Sequence, residues 1–238
     1  YILWVLLKMT NLSLHSWFFL ISLSTLSIFS GCPSNSENPT ETQVYRKNTK
    51  ENSFRILILG DSLTEGYGVS AQQAFPSLLE KKLNEEFSPD KNGTYEIINA
   101  GISGSTSSGG VARIEWLLKS NPDFLIIALG GNDGLRGVPV EETKNNLKKI
   151  ILTAKAKDIP TLLSGMKMPP NYGIEYTHEF SKLFIDLAEE ENVPLVPFLL
   201  KGVGGDPAMN LPDRIHPNPV GHQKIAQTVY HQLINYLP

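Results

Sequence analysis

Cysteine is nearly absent from this sequence, and neither sign of charge is in large excess. Of the 238 residues only Cys32 is a cysteine, which excludes a disulfide framework and a cysteine-ligated metal site within one chain. The formal net charge is −3 and no basic cluster stands out along the chain, which argues against nucleic acid as the main partner. No group of histidines and carboxylates has metal-ligand spacing, so we expect neither a metal nor another cofactor.

What is present is enough apolar sequence for one substantial core. Hydrophobic residues make up 41% of the chain and charged residues 19%, which is typical of a single globular domain. The apolar content is unevenly spread, because residues 16–32 form one apolar run that ends in Ser30, Gly31 and Cys32. Such a run is typical of a secretory signal peptide and is short for a membrane span.

The residues around Cys32 resemble the lipobox of bacterial lipoproteins, in which the cysteine is lipidated and becomes the first residue of the mature chain. We therefore predict a lipoprotein-type signal peptide over residues 1–31, cleaved between Gly31 and Cys32. A plain cleaved signal peptide or an uncleaved anchor is the alternative. Either way the prediction is an exported protein, which is either a membrane-anchored lipoprotein or periplasmic.

The next segment is polar and differs from everything that follows it. Residues 33–53 include two prolines and show no apolar periodicity, which predicts a flexible polar tether over residues 32–53. A regular pattern begins near Phe54, so one folded domain is predicted over residues 54–238.

Within this domain, short apolar runs alternate with segments of helical spacing. The predicted strands are 55–59, 95–100, 123–130, 160–165 and 193–197, and the predicted helices are 72–87, 108–120, 140–157, 174–191 and about 219–236. Five strand–helix units with short connections predict an α/β fold with a five-stranded parallel sheet and helices on both faces. The periodicity does not give the order of the strands.

Polar and glycine-rich segments follow these strands, and the carboxyl ends of parallel strands meet at one edge of a sheet. The segments are GDSLTEGYG (60–68), NAGISGSTSSGG (99–110), LGGNDGLRG (129–137) and, before the last helix, LPDRIHPNPVGH (211–222). Each has an ordinary explanation: Ser62 as a helix cap, GGND as a turn, and Asp213 with His216 as a surface pair. The second segment is rich enough in glycine to hold a phosphate, but it has neither the GxxxxGK[ST] nor the GxGxxG pattern.

Together, however, the same segments supply every part of a serine hydrolase. A nucleophilic serine needs a base, the base needs an orienting carboxylate, and the oxyanion that forms needs fixed hydrogen-bond donors. We interpret Ser62 as the nucleophile, His216 as the base and Asp213 as the orienting carboxylate. The donors are the backbone N–H groups of Ser62 and Gly104 and the side-chain amide of Asn132. The GDSL setting of Ser62 is not the GxSxG elbow, which disfavours the α/β-hydrolase family.

With these segments in this order, the chain resembles the SGNH (GDSL) hydrolases, and within them the subfamily of periplasmic thioesterases that also act as lysophospholipases and arylesterases. The resemblance covers residues 55 to about 236. It implies a flavodoxin-like three-layer α/β/α fold and the same five site residues: Ser62, Gly104, Asn132, Asp213 and His216. Two positions depart from the subfamily pattern, because Ser105 stands where aspartate is usual and Arg214 where glycine is usual.

The resemblance also implies an activity and a substrate class. It indicates a serine esterase for carboxylic esters and thioesters, with fatty-acyl, lysophospholipid and aryl esters as substrates. Export favours lysophospholipids and other lipid esters, because acyl-CoA is cytosolic. The alternatives are a carbohydrate O-acetyl esterase and a non-catalytic, surface-binding lipoprotein. The predicted membrane contact is the lipid anchor on Cys32, and the oligomeric state stays open.

Overall fold

The computed structural model describes residues 53–86 and 93–238, all within one compact unit. The predicted signal peptide, Cys32 and the predicted tether up to residue 52 lie outside the described residues. Within the described ranges, no helix is long and apolar enough to cross a bilayer.

Five parallel strands form the sheet, as the alternating pattern predicts. They are β1 (Ser53–Gly60), β2 (Thr94–Gly101), β3 (Phe124–Ala128), β4 (Thr161–Ser164) and β5 (Leu195–Val196). Their order across the sheet is β2-β1-β3-β4-β5. From β1 the chain first adds β2 on one side and then crosses over to add β3 on the other side, so the strand order reverses between β1 and β3. Open α/β sheets form their binding crevices at such a point.

Helices cover both faces of this sheet. They are α1 (Ser62–Glu65), α2 (Phe75–Glu86), α3 (Ser107–Leu117), α4 (Gly131–Leu135), α5 (Val140–Lys155), α6 (Ile174–Glu190) and α7 (Pro219–Leu233). Helix α2 packs against α7, while α3 and α6 both pack against α5. In α5 the buried side chains recur with helical spacing at Leu147, Ile150, Ile151 and Ala154, which directs one face of the helix to the core.

The central strands are buried on both faces. Every residue of β3 is buried, as is the second half of β1, which is why these segments are apolar without alternation. The prediction of a parallel sheet with helices on both sides is confirmed.

Helix α2 begins at Phe75 and not at 72, because residues Ala71–Gln73 form a separate 3₁₀ turn. Pro76 has no N–H to donate, so it belongs in the first turn of a helix.

Candidate active site

Ser62 lies where β1 turns sharply into the short helix α1. Asp61 caps this helix, since its Oδ1 atom accepts a hydrogen bond from the Leu63 N–H at 3.0 Å. A Cβ atom on Gly60 would lie 1.9 Å from Thr64 Oγ1, so only glycine lets the helix fold back this closely on the strand. The cap is therefore Asp61 and not Ser62. The Ser62 N–H, as the first of the helix, has no intrahelical acceptor.

The turn over residues 211–217, which we call the acid–base turn, brings His216 and Asp213 to Ser62. His216 Nε2 lies 3.1 Å from Ser62 Oγ, and His216 Nδ1 lies 2.7 Å from Asp213 Oδ2. The other carboxylate oxygen of Asp213 accepts the backbone N–H groups of His216 and Ile215 at 3.0 and 2.9 Å. The short spacing between Asp213 and His216 thus places the carboxylate, the ring and Ser62 Oγ in line.

The electrostatics of Asp213 determine which ring nitrogen carries the proton. The hydrogen bond from the His216 backbone N–H, followed by that from Ile215, lowers the pKa of Asp213 to about 2. Asp213 is therefore ionised at neutral pH and can only accept a hydrogen bond. The neutral His216 ring consequently donates from Nδ1, which leaves Nε2 free to accept the proton of Ser62.

Backbone hydrogen bonds hold the acid–base turn in place. The Leu211 N–H donates to His216 O at 2.7 Å, and the Arg214 N–H donates to Leu211 O at 2.9 Å. Arg214 has a φ of 61°, the left-handed region in which glycine is favoured. The ring of Tyr67 lies 4.4 Å from the ring of His216 and packs against it.

Two further segments, residues 101–107 and 129–137, carry the predicted oxyanion donors, and we call them the oxyanion loops. The Ser105 N–H donates to Ile102 O at 3.0 Å, which closes a turn with Gly104 at its third position and at a φ of 75°. This is the position of a type II turn that favours glycine. Within the described residues the Gly104 N–H makes no hydrogen bond, which leaves it open to an incoming oxygen.

Charged side chains fix the Gly104 turn from two directions. Glu65 Oε2 accepts the Ser103 N–H at 2.6 Å, and the Ser103 hydroxyl donates to the same oxygen. From the other oxyanion loop, Arg136 donates to Gly104 O at 2.9 Å. These contacts hold the peptide groups on either side of the Ser103–Gly104 peptide, which fixes the direction of the Gly104 N–H.

Asn132 presents its side-chain amide to the same place. Its Nδ2 atom donates to Ser105 O at 3.0 Å and lies 3.5 Å from Asp61 Oδ2. The first contact anchors the amide, and the second is long enough to yield to a better acceptor. The structure thus brings together all five site residues predicted within the described chain.

Asp133 is a supporting residue that sequence reasoning missed. It is 1% exposed and accepts hydrogen bonds from the Ser107 N–H at 2.8 Å and the Ser107 hydroxyl at 2.5 Å. Asn146 donates in turn to Ser107 Oγ at 3.1 Å. Asp133 therefore ties one oxyanion loop to the other at the start of α3. No local pattern could have indicated this pairing, because it joins residues from different strand–helix units.

Asp61 is a second buried carboxylate beside the site. Burial raises its pKa to about 6, against the opposing effects of the Leu63 hydrogen bond and of His216. Arg113 lies near it, and its guanidinium group donates to Gly60 O at 2.7 Å and also to Ala100 O. Ser105, which departs from the subfamily pattern, gives Arg113 only a long contact of 3.4 Å.

A cavity of about 560 Å³ opens beside Ser62 and His216, and we call it the catalytic pocket. It runs along the sheet edge past the ends of β3, β4 and β5. Its walls are largely apolar and include Leu135, Met166, Met168, Phe198, Leu200 and Ile215. Within residues 53–86 and 93–238, no group of three histidines or carboxylates is arranged to hold a metal ion. The site therefore offers a nucleophile, a base, fixed donors and an apolar cleft.

Known proteins are similar to this chain in sequence and in fold. The model of the GDSL-like lipase/acylhydrolase family matches residues 58–224. The chain is 39% identical over 176 residues to "Esterase TesA" of Pseudomonas aeruginosa, covering 74% of this chain and 85% of that relative. It is 41% identical over 179 residues to "Thioesterase 1/protease 1/lysophospholipase L1" of Escherichia coli, strain K12, covering 75% and 82%. A crystal structure of TesA superposes with a TM-score of 0.72 and 38% identity, covering 77% of this chain and 99% of that one.

Proposed function

The chain belongs to the GDSL-like lipase/acylhydrolase family, and we propose that it is a serine esterase in which Ser62, His216 and Asp213 act together. The observation that carries the proposal is the pair of contacts from Ser62 Oγ to His216 Nε2 and from His216 Nδ1 to Asp213 Oδ2, at 3.1 and 2.7 Å. These are hydrogen-bond distances between a nucleophile, its base and an orienting group.

In the proposed first half-reaction, Ser62 Oγ attacks the ester carbonyl carbon while His216 Nε2 takes the hydroxyl proton. The carbonyl oxygen becomes an oxyanion, which accepts hydrogen bonds from the backbone N–H groups of Ser62 and Gly104 and from the Asn132 amide. The imidazolium ion that forms stays beside the ionised Asp213. It then returns the proton to the leaving alcohol or thiol as the carbon–oxygen or carbon–sulfur bond breaks, which leaves an acyl-enzyme.

The second half-reaction repeats these steps with water. His216 Nε2 takes a proton from water, the hydroxide oxygen attacks the acyl carbon, and the same donors hold the second oxyanion. When this second tetrahedral intermediate collapses, the bond to Ser62 Oγ breaks and His216 returns its proton to that oxygen. The product released is a carboxylic acid. No other reactant is needed.

The size and lining of the catalytic pocket favour acyl groups longer than acetyl. Its volume of about 560 Å³ and its apolar walls suit a fatty-acyl or aryl group, whose burial is favourable at about 25 cal/mol per Å². We therefore propose fatty-acyl and aryl esters as the substrate class, with lysophospholipids and other lipid esters as natural candidates.

The experiment is a panel of p-nitrophenyl esters from acetyl to palmitoyl, with lysophosphatidylcholine included. We expect the highest kcat/KM at octanoyl or longer and loss of kcat by about 10⁴- to 10⁶-fold in Ser62→Ala. A fluorophosphonate should label Ser62 in the native chain. Ser181→Ala, on helix α6, is the matched control and should keep full activity. Near-native turnover by Ser62→Ala would contradict the proposed mechanism, and activity on acetyl esters alone would indicate a carbohydrate O-acetyl esterase.

We also propose that the protein is exported and held on a membrane by lipid on Cys32. The support is the apolar run over residues 16–32 and the small residues before Cys32. A lipoprotein cysteine carries more than one acyl chain, and two chains anchor firmly where one binds with only about 10⁴ M⁻¹. Cell fractionation should place the native chain in membranes and Cys32→Ala in the soluble fraction. An identical distribution of the two would leave an ordinary signal peptide or an uncleaved anchor.

A further inference from the structure

Tyr67 lies between the nucleophile and the base of the proposed triad. It follows helix α1 by two residues, and its backbone N–H donates to Ser62 O at 3.0 Å. Its ring packs against the ring of His216, with 4.4 Å between the ring centres and 39° between the ring planes. Tyr67 thus contacts Ser62 through its backbone and His216 through its side chain.

The backbone around this tyrosine is closely held. Residues 66–69 form a turn that is closed by a hydrogen bond of 3.2 Å from its last N–H to its first carbonyl oxygen, and we call it the Tyr67 turn. A Cβ atom on Gly68, whose φ is 77°, would lie only 2.4 Å from Leu211 Cδ1. Leu211 is the first residue of the acid–base turn, so the Tyr67 turn lies directly against the segment that carries the base.

A buried histidine that the proposed mechanism does not use anchors the chain beyond the Tyr67 turn. His222 is 0% exposed, and its Nδ1 atom accepts the N–H of Phe75, the first residue of α2, at 3.2 Å. Burial is the main reason that the pKa of His222 is lowered to about 4, so its ring stays neutral and remains an acceptor at neutral pH. His222 belongs to the first turn of α7, which begins two residues after the acid–base turn. The chain that carries Tyr67 is therefore attached to both catalytic segments.

An aromatic ring packed against an imidazole has two consequences for a general base. The contact limits rotation of the His216 ring, which keeps Nε2 at 3.1 Å from Ser62 Oγ. After proton transfer the negative face of the aromatic ring attracts the imidazolium ion, and a separation of 4.4 Å is within the range of such contacts. Among the described residues, those that line the catalytic pocket do not include Tyr67. Both effects therefore act on proton transfer and not on binding of the acyl group.

We propose that Tyr67 is a positioning residue for the reaction, which holds the His216 ring toward Ser62 Oγ and stabilises the imidazolium ion that forms there. The proposal rests on the proposed esterase function and adds to it a residue that acts through the base. Because the ring makes the contact, Tyr67→Phe should preserve this role. Tyr67→Leu keeps an apolar side chain but removes the aromatic face, so it should not.

The test measures hydrolysis of p-nitrophenyl octanoate by the full chain and its variants. We expect Tyr67→Leu to lower kcat about tenfold with KM changed by less than about twofold, and Tyr67→Phe to stay within about twofold of the native kcat. The loss should be the same for acetyl and octanoyl esters, and labelling of Ser62 by a fluorophosphonate should slow by the same factor. Tyr236→Leu makes the same replacement at another half-exposed tyrosine, in the final 3₁₀ turn, and should keep native kinetics.

A second comparison tests whether Tyr67 acts through His216. In His216→Ala the aromatic contact is already absent, so adding Tyr67→Leu should not slow the labelling of Ser62 any further. A further tenfold loss there would mean that Tyr67 acts on the substrate or on the fold, and would overturn the proposal.

Three other results would also contradict this role. They are native kinetics in Tyr67→Leu, an equal loss of kcat in Tyr67→Phe, and a lower urea midpoint of unfolding in Tyr67→Leu that accounts for its lost activity. The proposed function fails separately, if the native chain does not hydrolyse the ester or if His216→Ala keeps native activity.

Discussion

The oxyanion loops and the acid–base turn meet at Ser62, but they hold their polar groups in different ways. Asp133 is 1% exposed within the oxyanion loops, and Asp61 beside them is 2% exposed, whereas the Asp213 side chain in the acid–base turn is 37% exposed. The pKa of Asp61 is raised to about 6 by burial, and that of Asp213 is lowered to about 2 by backbone donors. This difference in burial indicates that the oxyanion side contributes most to the stability of the site, whereas proton transfer takes place at the more exposed acid–base turn.

A physical reason underlies this division. The oxyanion donors must not move when charge develops, and buried networks with several hydrogen bonds provide that rigidity. The base must exchange protons with leaving group and water, so it lies where water can approach. Residues of the oxyanion loops should therefore affect both folding and kcat, and residues of the acid–base turn should affect kcat with little change in folding.

The largest expected effect is on activity in the acid–base turn. Asp213→Asn no longer fixes the Nδ1 proton of His216, so Nε2 loses its role as an acceptor, and we expect kcat to fall by about 10³- to 10⁴-fold. The free energy of unfolding should change by less than about 1 kcal/mol, since the side chain is partly exposed. Asp206→Asn is the matched control, because Asp206 also accepts a backbone N–H two residues later in an exposed loop. A large loss of stability in Asp213→Asn would contradict the proposed division.

On the oxyanion side, Asn132→Ala should lower kcat by about 10²- to 10³-fold with a smaller change in KM. The amide acts on the oxyanion, which exists only during reaction, so ground-state binding is little affected. The control is Asn145→Ala, an exposed residue of α5 whose side-chain amide bonds only Glu141 within the described chain. If the whole loss appeared in KM, Asn132 would be a substrate-binding residue and not an oxyanion donor.

Asp61 predicts an unusual dependence of stability on pH. The pKa of Asp61 is about 6 in the folded chain, against the ordinary aspartate value of 3.8 expected once the chain unfolds. Between pH 3.8 and 6, Asp61 therefore keeps its carboxyl proton in the folded protein but loses it in the unfolded chain. Stability from this group is therefore complete well below pH 4, falls as pH rises to about 6, and is constant above; the total is about 3 kcal/mol.

The variant Asp61→Asn isolates this contribution. It keeps an acceptor for the Leu63 N–H but cannot ionise. Urea unfolding between pH 4 and 7.5 should show the native chain losing about 2.5 kcal/mol more than Asp61→Asn over this range, because part of the total is already lost at pH 4. Parallel curves for the two proteins would mean that Asp61 ionises normally in the fold.

Asp133→Asn tests the tie between the two oxyanion loops. An asparagine amide would place an N–H group against either the Ser107 N–H or its hydroxyl, so we expect a loss of about 1–3 kcal/mol in the free energy of unfolding. The kcat should fall as well, and by more than KM changes, since the two donors on the oxyanion loops, the Gly104 N–H and the Asn132 amide, lose a common support. Asp158→Asn, at an exposed turn, should change neither quantity. Unchanged stability in Asp133→Asn would show that the oxyanion loops do not depend on this contact.

The sequence predicts the fold well and points to five residues that the structure brings together, for a physical reason. Strand–helix alternation and the apolar runs are local properties, and the carboxyl ends of parallel strands must meet, so Ser62, Asn132 and the Gly104 turn could be placed together. The strand order could not be predicted, because apolar periodicity does not specify which strands are neighbours. Asp133 with Ser107 and Glu65 with Ser103 are tertiary contacts without a local signal.

The smallest expected effect concerns the backbone of the acid–base turn at Arg214. Its φ of 61° is costly for a residue with a Cβ atom and not for glycine. Arg214→Gly also makes the unfolded chain more flexible, so its net effect on stability should be close to zero. The informative comparison is with Arg214→Ala, which removes the same guanidinium group but keeps the Cβ atom. We expect the glycine variant to be more stable than the alanine variant by up to about 1 kcal/mol, measured by urea unfolding, with kcat on p-nitrophenyl octanoate similar in both. If alanine were as stable as glycine here, the turn would not need the left-handed conformation. A loss of kcat shared by both variants would instead mean that the guanidinium group, which lines the catalytic pocket, contacts the substrate.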